Sequence, residues 1–177
     1  WVYHGNKDLR LESVPEPILR SGEAKLQIDY CGICATDIEE YLYGPKFISS
    51  HSPNPLTGKV LPTITGHEMT GTVVETAPDV DNLIPGTRVA LNTVLTCGEC
   101  KWCKRGETNQ CPSMAVAGFG RDGGLAELMT WPADEIIPLP ENVTSSQAAL
   151  VEPGSVAHHA ISRCGLNPGD SLVVLGV

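Results

Sequence analysis

Cys97-Gly98-Glu99-Cys100-Lys101-Trp102-Cys103-Lys104-Arg105-Gly106-Glu107-Thr108-Asn109-Gln110-Cys111 places four cysteines at C-x2-C-x2-C-x7-C spacing. Four thiolates so spaced can close a tetrahedral shell around one zinc ion. Such a shell leaves no coordination position for a substrate, so its role is structural. Gly98, Glu99, Lys101, Lys104, Arg105 and Gly106 cannot build an apolar core. Metal binding must then supply the folding free energy of this lobe. Four unconnected buried cysteines are the bland alternative, and they sit badly among so many charges.

The rest of the composition agrees with a metal-bound chain. Seven cysteines are present. An odd number, metal-like spacing and no export-signal pattern in these residues argue for metal over a secreted disulfide framework. Asn142-Val143-Thr144 matches a glycosylation sequon, read as chance in that setting. The expected compartment is the cytoplasm. The net charge of −9 lacks the basic footprint of a nucleic-acid binder, and four zinc-bound thiolates would make it more negative. No apolar run approaches the ~20 residues that cross a bilayer. With 177 residues and 41% apolar content, one domain, or one and a fraction, can bury a core. Eighteen glycines and fourteen prolines suit short strands and turns rather than a helix bundle.

The pattern along the chain predicts strands over 25–30, 71–75 and 86–91, the last entered through Ile84-Pro85-Gly86. Gly118-Phe119-Gly120-Arg121-Asp122-Gly123-Gly124 is a glycine-rich turn, followed by apolar runs over 125–131 and 136–139. No well-capped helix follows that turn, so plain turn chemistry is preferred to phosphate binding. Many short strands with turns between them indicate a mainly β, closed or partly closed structure. Residues 43–62 form a long Pro/Ser/Asn stretch, expected to be a lid or wall of the active site. A helix is expected from a Ser145-Ser146 cap toward Arg163, kinked or broken by Pro153-Gly154 near Glu152. Pro168-Gly169-Asp170 then turns into Ser171-Leu172-Val173-Val174-Leu175-Gly176-Val177, which reads as the first strand of a dinucleotide-binding unit.

A second group of candidates is scattered: Cys34, His67, Glu68 and Glu152. Taken singly, Cys34 reads equally as a buried small hydrophobe, His67 as a satisfied core histidine and Glu152 as a surface carboxylate. Their context decides. The chain resembles the zinc-dependent medium-chain alcohol and polyol dehydrogenases through Gly32-Ile33-Cys34-x-Thr36-Asp37, Gly66-His67-Glu68-x-x-Gly71 and Pro85-Gly86-x-Arg88-Val89. The resemblance continues through the four-cysteine lobe, Gly123-Gly124-x-Ala126-Glu127, Glu152-Pro153 and Leu172-Val173-Val174-Leu175-Gly176. Within that family, Cys31-Gly32-Ile33-Cys34 and Tyr41-Leu42-x-Gly44-Pro45-x-Phe47-Ile48 look most like the 2,3-butanediol dehydrogenases.

The resemblance implies a GroES-like, partly open β-barrel over residues 1–150, with a structural zinc lobe at 93–113. It implies that residues 151–177 are a linking helix and the first strand of a truncated Rossmann domain. It implies two Zn²⁺ per chain: one on Cys97, Cys100, Cys103 and Cys111, the other catalytic on Cys34, His67 and Glu152, with Glu68 a further carboxylate able to bind it. A carboxylate at Glu152 resembles the polyol branch. Thr36 would relay the alcohol proton, and Asp37 would orient His67 through its other ring nitrogen. NAD(P) would take the hydride, with contacts at Val156 and Gly176. The substrate would be a small secondary alcohol, vicinal diol or ketone, and the assembly a homodimer or homotetramer. No nucleic acid or membrane is implied.

One departure from the family pattern concerns the proton path. A histidine often follows the Thr-Asp pair, and here Glu39 takes that place, either relaying through water, binding a second substrate hydroxyl, or marking a weakened relay. His51 could substitute, but nothing in the sequence places it there. The residue that selects NAD or NADP falls beyond Val177. A chain ending there is expected to hold two zinc ions and turn over no alcohol. The reading from another class is a truncated zinc-binding module without redox activity, acting by Lewis-acid chemistry or binding alone. A stop inside an apolar strand would expose an aggregation-prone edge, which favours a fragment of a dehydrogenase.

Overall fold

The computed structural model describes residues 1–175. Strands β1 (Val2–Gly5), β2 (Asp8–Arg10) and β4 (Thr63–Ile64) form one small antiparallel sheet in the order β2-β1-β4. The main sheet has five strands in the order β10-β6-β5-β3-β9, where β3 is Glu23–Gly32, β5 is Glu68–Thr76, β6 is Arg88–Leu91, β9 is Leu128–Pro132 and β10 is Ile136–Pro138. A third pair, β7 (Val94–Leu95) and β8 (Ala115–Val116), brackets the cysteine lobe. All of these pairings are antiparallel.

The strands predicted over 25–30, 71–75 and 86–91, and the apolar runs over 125–131 and 136–139, fall on β3, β5, β6, β9 and β10, with longer or shorter bounds. The sequence pattern does not reveal the small sheet, because its strands are two to four residues long and carry almost no periodicity. The core gathers Ala24, Leu26, Val73, Val89, Met129 and Trp131, buried between the strands. Trp131 is fully buried and donates its indole N–H to the carbonyl of Asn92 at 2.9 Å. That bond meets the one polar need of an otherwise apolar side chain.

β3 is the longest strand. It pairs with β5 through two register shifts, between Lys25 and Leu26 and between Ile28 and Tyr30. Bulges bend a strand and re-aim the residues beyond the bend. Past the second bulge Gly32 stands opposite Glu68, so the exit of β3 and the entry of β5 lie side by side. That pairing brings the Cys34 region to His67.

Three helices obey different logic. Helix α1 (Ala35–Tyr43) is absent from the sequence-based expectation. Asp37 lies three residues after Cys34 and accepts its backbone N–H at 2.9 Å, the capping-box arrangement, and Gly44-Pro45 ends the helix. Helix α2 (Ser145–Ala148) is capped by Thr144 with Gln147 answering it, one residue before the expected serines. The chain breaks at Ala149–Leu150, and α3 (Val151–Arg163) restarts there. Pro153 therefore sits inside the first turn of α3, where its missing N–H costs nothing. It does not kink the helix near Glu152.

Among residues 171–175 no strand forms. A parallel strand needs a neighbour to bond to, and none of the described strands pairs with it. Leu172, Val173, Val174 and Leu175 are accordingly exposed. Gly176 and Val177, including the expected cofactor contact at Gly176, lie outside the described residues. Among the described residues no helix is long and apolar enough to cross a membrane.

Candidate metal centres

The four cysteines of the lobe converge. All four Sγ atoms lie within 4.8 Å of one another. Three of the separations are 3.5 Å (Cys100–Cys103), 3.6 Å (Cys97–Cys111) and 3.9 Å (Cys97–Cys103). Tetrahedral zinc with Zn–S bonds of about 2.3 Å sets its sulfurs about 3.8 Å apart. The lobe thus fits that ion. Backbone N–H groups of Cys100 and Cys103 point at the sulfurs of Cys97 and Cys100. Hydrogen bonds of this kind favour the thiolate. The Cys97 thiol is accordingly pulled down to about 6, chiefly by the backbone N–H groups of Cys100 and Glu99. Cys103 is pushed up to about 11, by burial first and then by its Cys100 neighbour. Thiols so closely packed cannot all ionise without a cation among them.

The second site is built from the β3 exit, the start of α1 and the entry to β5. Cys34 ends the turn after β3, His67 precedes β5, and Glu68 opens it. One donor atom from each of Cys34, His67 and Glu68 lies within 4.8 Å of the other two. A side chain on Gly32 would collide with the Glu68 carboxylate, so that strand position must be bare for the carboxylate to reach the cluster. Gly66 has φ +94°, and a Cβ there would meet Cys31 Sγ at 2.7 Å.

The glycine-rich turn sets the approach to His67. Gly123, Gly124 and Leu125 donate backbone N–H groups to the carbonyls of Ile64, Gly66 and Thr65 at 2.8, 3.0 and 2.9 Å. The turn therefore pins the segment that delivers the histidine, which is turn chemistry as expected.

His67 is buried. Its Nε2 lies 3.3 Å from Thr36 Oγ1, and its Nδ1 lies 3.7 Å from Asp37 Oδ1. Both Nδ1 and that Oδ1 are buried without a hydrogen-bond partner. A charged Asp37 beside Nδ1 favours the Nδ1–H tautomer, which frees the Nε2 lone pair on the Cys34 and Thr36 side. The donors (a thiolate, an imidazole nitrogen and a carboxylate) suit zinc at an open site.

Glu152, in the first turn of α3, stands outside the 4.8 Å donor group. It is nonetheless close enough to feel it. Burial raises its carboxyl above the usual range, His67 opposes that rise, and Glu68 adds to it. A half-buried carboxylate raised in this way favours a cation beside it. Upstream of it, Arg88 donates to the carbonyls of Val143 at 2.6 Å and Glu141 at 3.3 Å, and buried Thr70 donates to the Ser145 carbonyl at 3.1 Å, which anchors the segment leading into α2 on the main sheet.

Other candidates fall away from the cluster. Glu39 is 54% exposed at its side chain and pairs with Lys46 Nζ at 3.4 Å. His51 is exposed in the long loop, where its backbone N–H meets Ser49 Oγ at 3.3 Å. Val156 is exposed on α3, and among the described residues no phosphate-binding loop stands beside it.

Sequence reasoning missed two aromatic neighbours. Phe119, from the glycine-rich turn, lies 5.1 Å from the His67 ring centroid. Phe47, from the long loop, meets Phe119 edge-on at 5.9 Å and 79°. The loop thus contributes a wall beside the donor group. A groove of about 910 Å³ between residues 12–20 and the sheet contains none of the donors. A smaller, apolar cavity of about 310 Å³ reaches Asp37 between Tyr3, Ile33, Ile38 and Leu125.

Comparison with known proteins supplies the context. The model of the alcohol dehydrogenase GroES-like domain matches residues 20–141. The (R,R)-butanediol dehydrogenase of Bacillus subtilis is 36% identical over 176 residues, 98% of this chain and 49% of that protein. The sorbitol dehydrogenase of the same organism is 31% identical over 177 residues, 99% of this chain and 48% of that protein. The crystal structure of 2R,3R-butanediol dehydrogenase from Bacillus subtilis superposes with a TM-score of 0.90 at 35% identity, over 96% of this chain and 48% of that one. The chain spans about half the length of these relatives. It belongs to the alcohol dehydrogenase GroES-like domain family.

Proposed function

We propose that this member of the alcohol dehydrogenase GroES-like domain family provides the zinc-dependent catalytic half of an oxidoreductase that interconverts a small secondary alcohol or vicinal diol and its ketone. The observation that carries the reading is the convergence of Cys34, His67 and Glu68, with Thr36 at His67 Nε2. The likeness to butanediol and sorbitol dehydrogenases supports the substrate class.

Cys34 and His67 would hold zinc together with a carboxylate, from Glu152 or Glu68. When bound, the ion supplies Lewis acidity that brings an alcohol hydroxyl's pKa toward neutrality. Asp37 keeps His67 in the tautomer that presents Nε2. Thr36 Oγ1 would accept the hydroxyl proton while giving its own to solvent water, and Glu39 pairs with Lys46. Phe47 and Phe119 offer an apolar wall to the carbon chain. The hydride acceptor would be NAD(P), as the family resemblance implies. Residues 1–150 form the catalytic domain in this reading, and residues 151–177 lead out of it.

The test uses Co²⁺ in place of zinc. Visible bands of the protein loaded at both sites should shift on adding 2,3-butanediol. The His67→Ala variant should keep the four-thiolate bands and lose the shift. Bands indifferent to the diol in the wild-type protein would overturn the reading.

A further inference from the structure

Glu40 is a buried carboxylate that the proposed chemistry does not use. It is 1% exposed on α1. No cation pairs with it among the described residues; the nearby Lys46 ammonium goes to Glu39 instead. Its charge is met by backbone alone. The Lys46 N–H reaches both carboxylate oxygens, at 2.9 and 3.1 Å, the Phe47 N–H reaches Oε2 at 3.0 Å, and the Ile48 N–H reaches Oε1 at 3.1 Å. The Glu40 carbonyl is held as well, by the buried Tyr3 hydroxyl at 2.7 Å and the Gly44 N–H at 2.8 Å.

A carboxylate taken out of water is costly unless fully bonded, and charge-assisted bonds are the strong ones. Here that strength is applied to three consecutive residues of a loop. The middle one, Phe47, has a side chain 59% exposed, so core burial does not explain its placement. Its ring lies edge-on to Phe119, and Phe119 packs on His67. The nest of N–H groups therefore fixes the backbone of a residue whose ring meets Phe119, the neighbour of His67.

We propose that Glu40 is a positioning residue: its carboxylate clamps Lys46–Ile48 and so holds Phe47 against Phe119 beside His67. Only the cobalt arm of its test rests on the metal reading of the site. In Glu40→Gln, either orientation of the amide turns an NH₂ group toward the Lys46 N–H and one of its two neighbours. Glu40→Asp retains both acceptor oxygens.

The chain has two phenylalanines, Phe47 and Phe119, so labelling with 4-fluorophenylalanine gives one ¹⁹F resonance for each ring of the stack. In the wild type, both should be dispersed from the free-residue position, and Co²⁺ should broaden or shift both. In Glu40→Gln, the Phe47 resonance should move to the free position and lose its cobalt response, the Phe119 resonance should keep its own, and Glu40→Asp should restore part of the Phe47 signal. Amide exchange at Lys46 and at whichever of Phe47 and Ile48 faces the NH₂ group should quicken about 10- to 100-fold in Glu40→Gln, the scale of losing a hydrogen bond to a charged group. Unchanged Phe47 resonance and exchange in a folded Glu40→Gln would overturn the proposal. If Glu40→Gln does not fold, exchange in the wild type decides: unprotected amides at residues 46–48 refute the clamp, and protection together with Phe47 recovery in Glu40→Asp supports it. Dispersed resonances that ignore Co²⁺ in the wild type would sink the metal reading and leave the positioning role standing on the Phe47 shift.

Discussion

Asp37→Asn offers the sharpest perturbation of the second site. Asp37 serves two groups at once, accepting the Cys34 N–H at 2.9 Å through Oδ2 and facing His67 Nδ1 at 3.7 Å through Oδ1. The Asp37 and His67 side chains are both 7% exposed, so water does not substitute easily. An asparagine that keeps its oxygen on Cys34 must turn its NH₂ toward Nδ1. The imidazole then moves its proton to Nε2, the atom that faces Thr36 and the donor group. The opposite amide orientation sets NH₂ against the Cys34 N–H and loosens the start of α1. Either way metal affinity at this site should fall about 10- to 100-fold, on the order of 1.4 to 3 kcal/mol. Competition against a chromophoric chelator measures it, with the four-cysteine lobe as an internal control. Equal affinity in the variant, or equal weakening of both sites, would refute the tautomer argument.

Other expectations come from the same structure. Cys111→Ser should leave three thiolates and release the lobe's metal, so that trypsin cuts at the exposed Lys101, Lys104 and Arg105, which should resist cleavage in the zinc-loaded wild type. Leu26→Ala, at a fully buried position, should lower stability by about 2–5 kcal/mol in urea unfolding; a loss under about 1 kcal/mol would mean that the core is elsewhere. Burial, with the Asp37 charge next, pushes the Cys31 thiol from 9.0 up to about 12. Between those values the unfolded chain gives up a proton that the folded chain keeps. Stability of the metal-free protein is thus whole below about pH 9 and falls as pH rises toward 12, by on the order of 4 kcal/mol at the limit. Cys31→Ala should flatten that alkaline limb, and an unchanged limb in the variant would contradict it.

The sequence announces what local chemistry controls. The cysteine spacing marks a lobe that closes, because its four donors come from one short stretch. The runs around Leu26, Val73 and Val89 mark the central strands, because each alternates or clusters β-branched residues near turn signals. Helix α1 is hidden: its nine residues are too short for a helical period to stand out, although Asp37 after Cys34 and Gly44-Pro45 at the end are legible signals. The break before α3 falls earlier than the sequence suggests, because Pro153 acts as a first-turn residue rather than as a helix breaker. The Phe47–Phe119–His67 stack joins residues distant in sequence, and the Glu40 clamp ties a helix to backbone N–H groups of the loop just after it; no periodicity encodes either contact. The family pattern sets Glu68 behind Glu152 as a donor. The register of Gly32 opposite Glu68, set by a bulge, is what brings Glu68 into the group.

Zinc content per chain, in the wild type and in His67→Ala, tests the central claim most directly. The account predicts two ions in the wild type and one in the variant, with the remaining ion lost only when Cys111 is replaced as well. A single ion in the wild type, or two retained without His67, would contradict it.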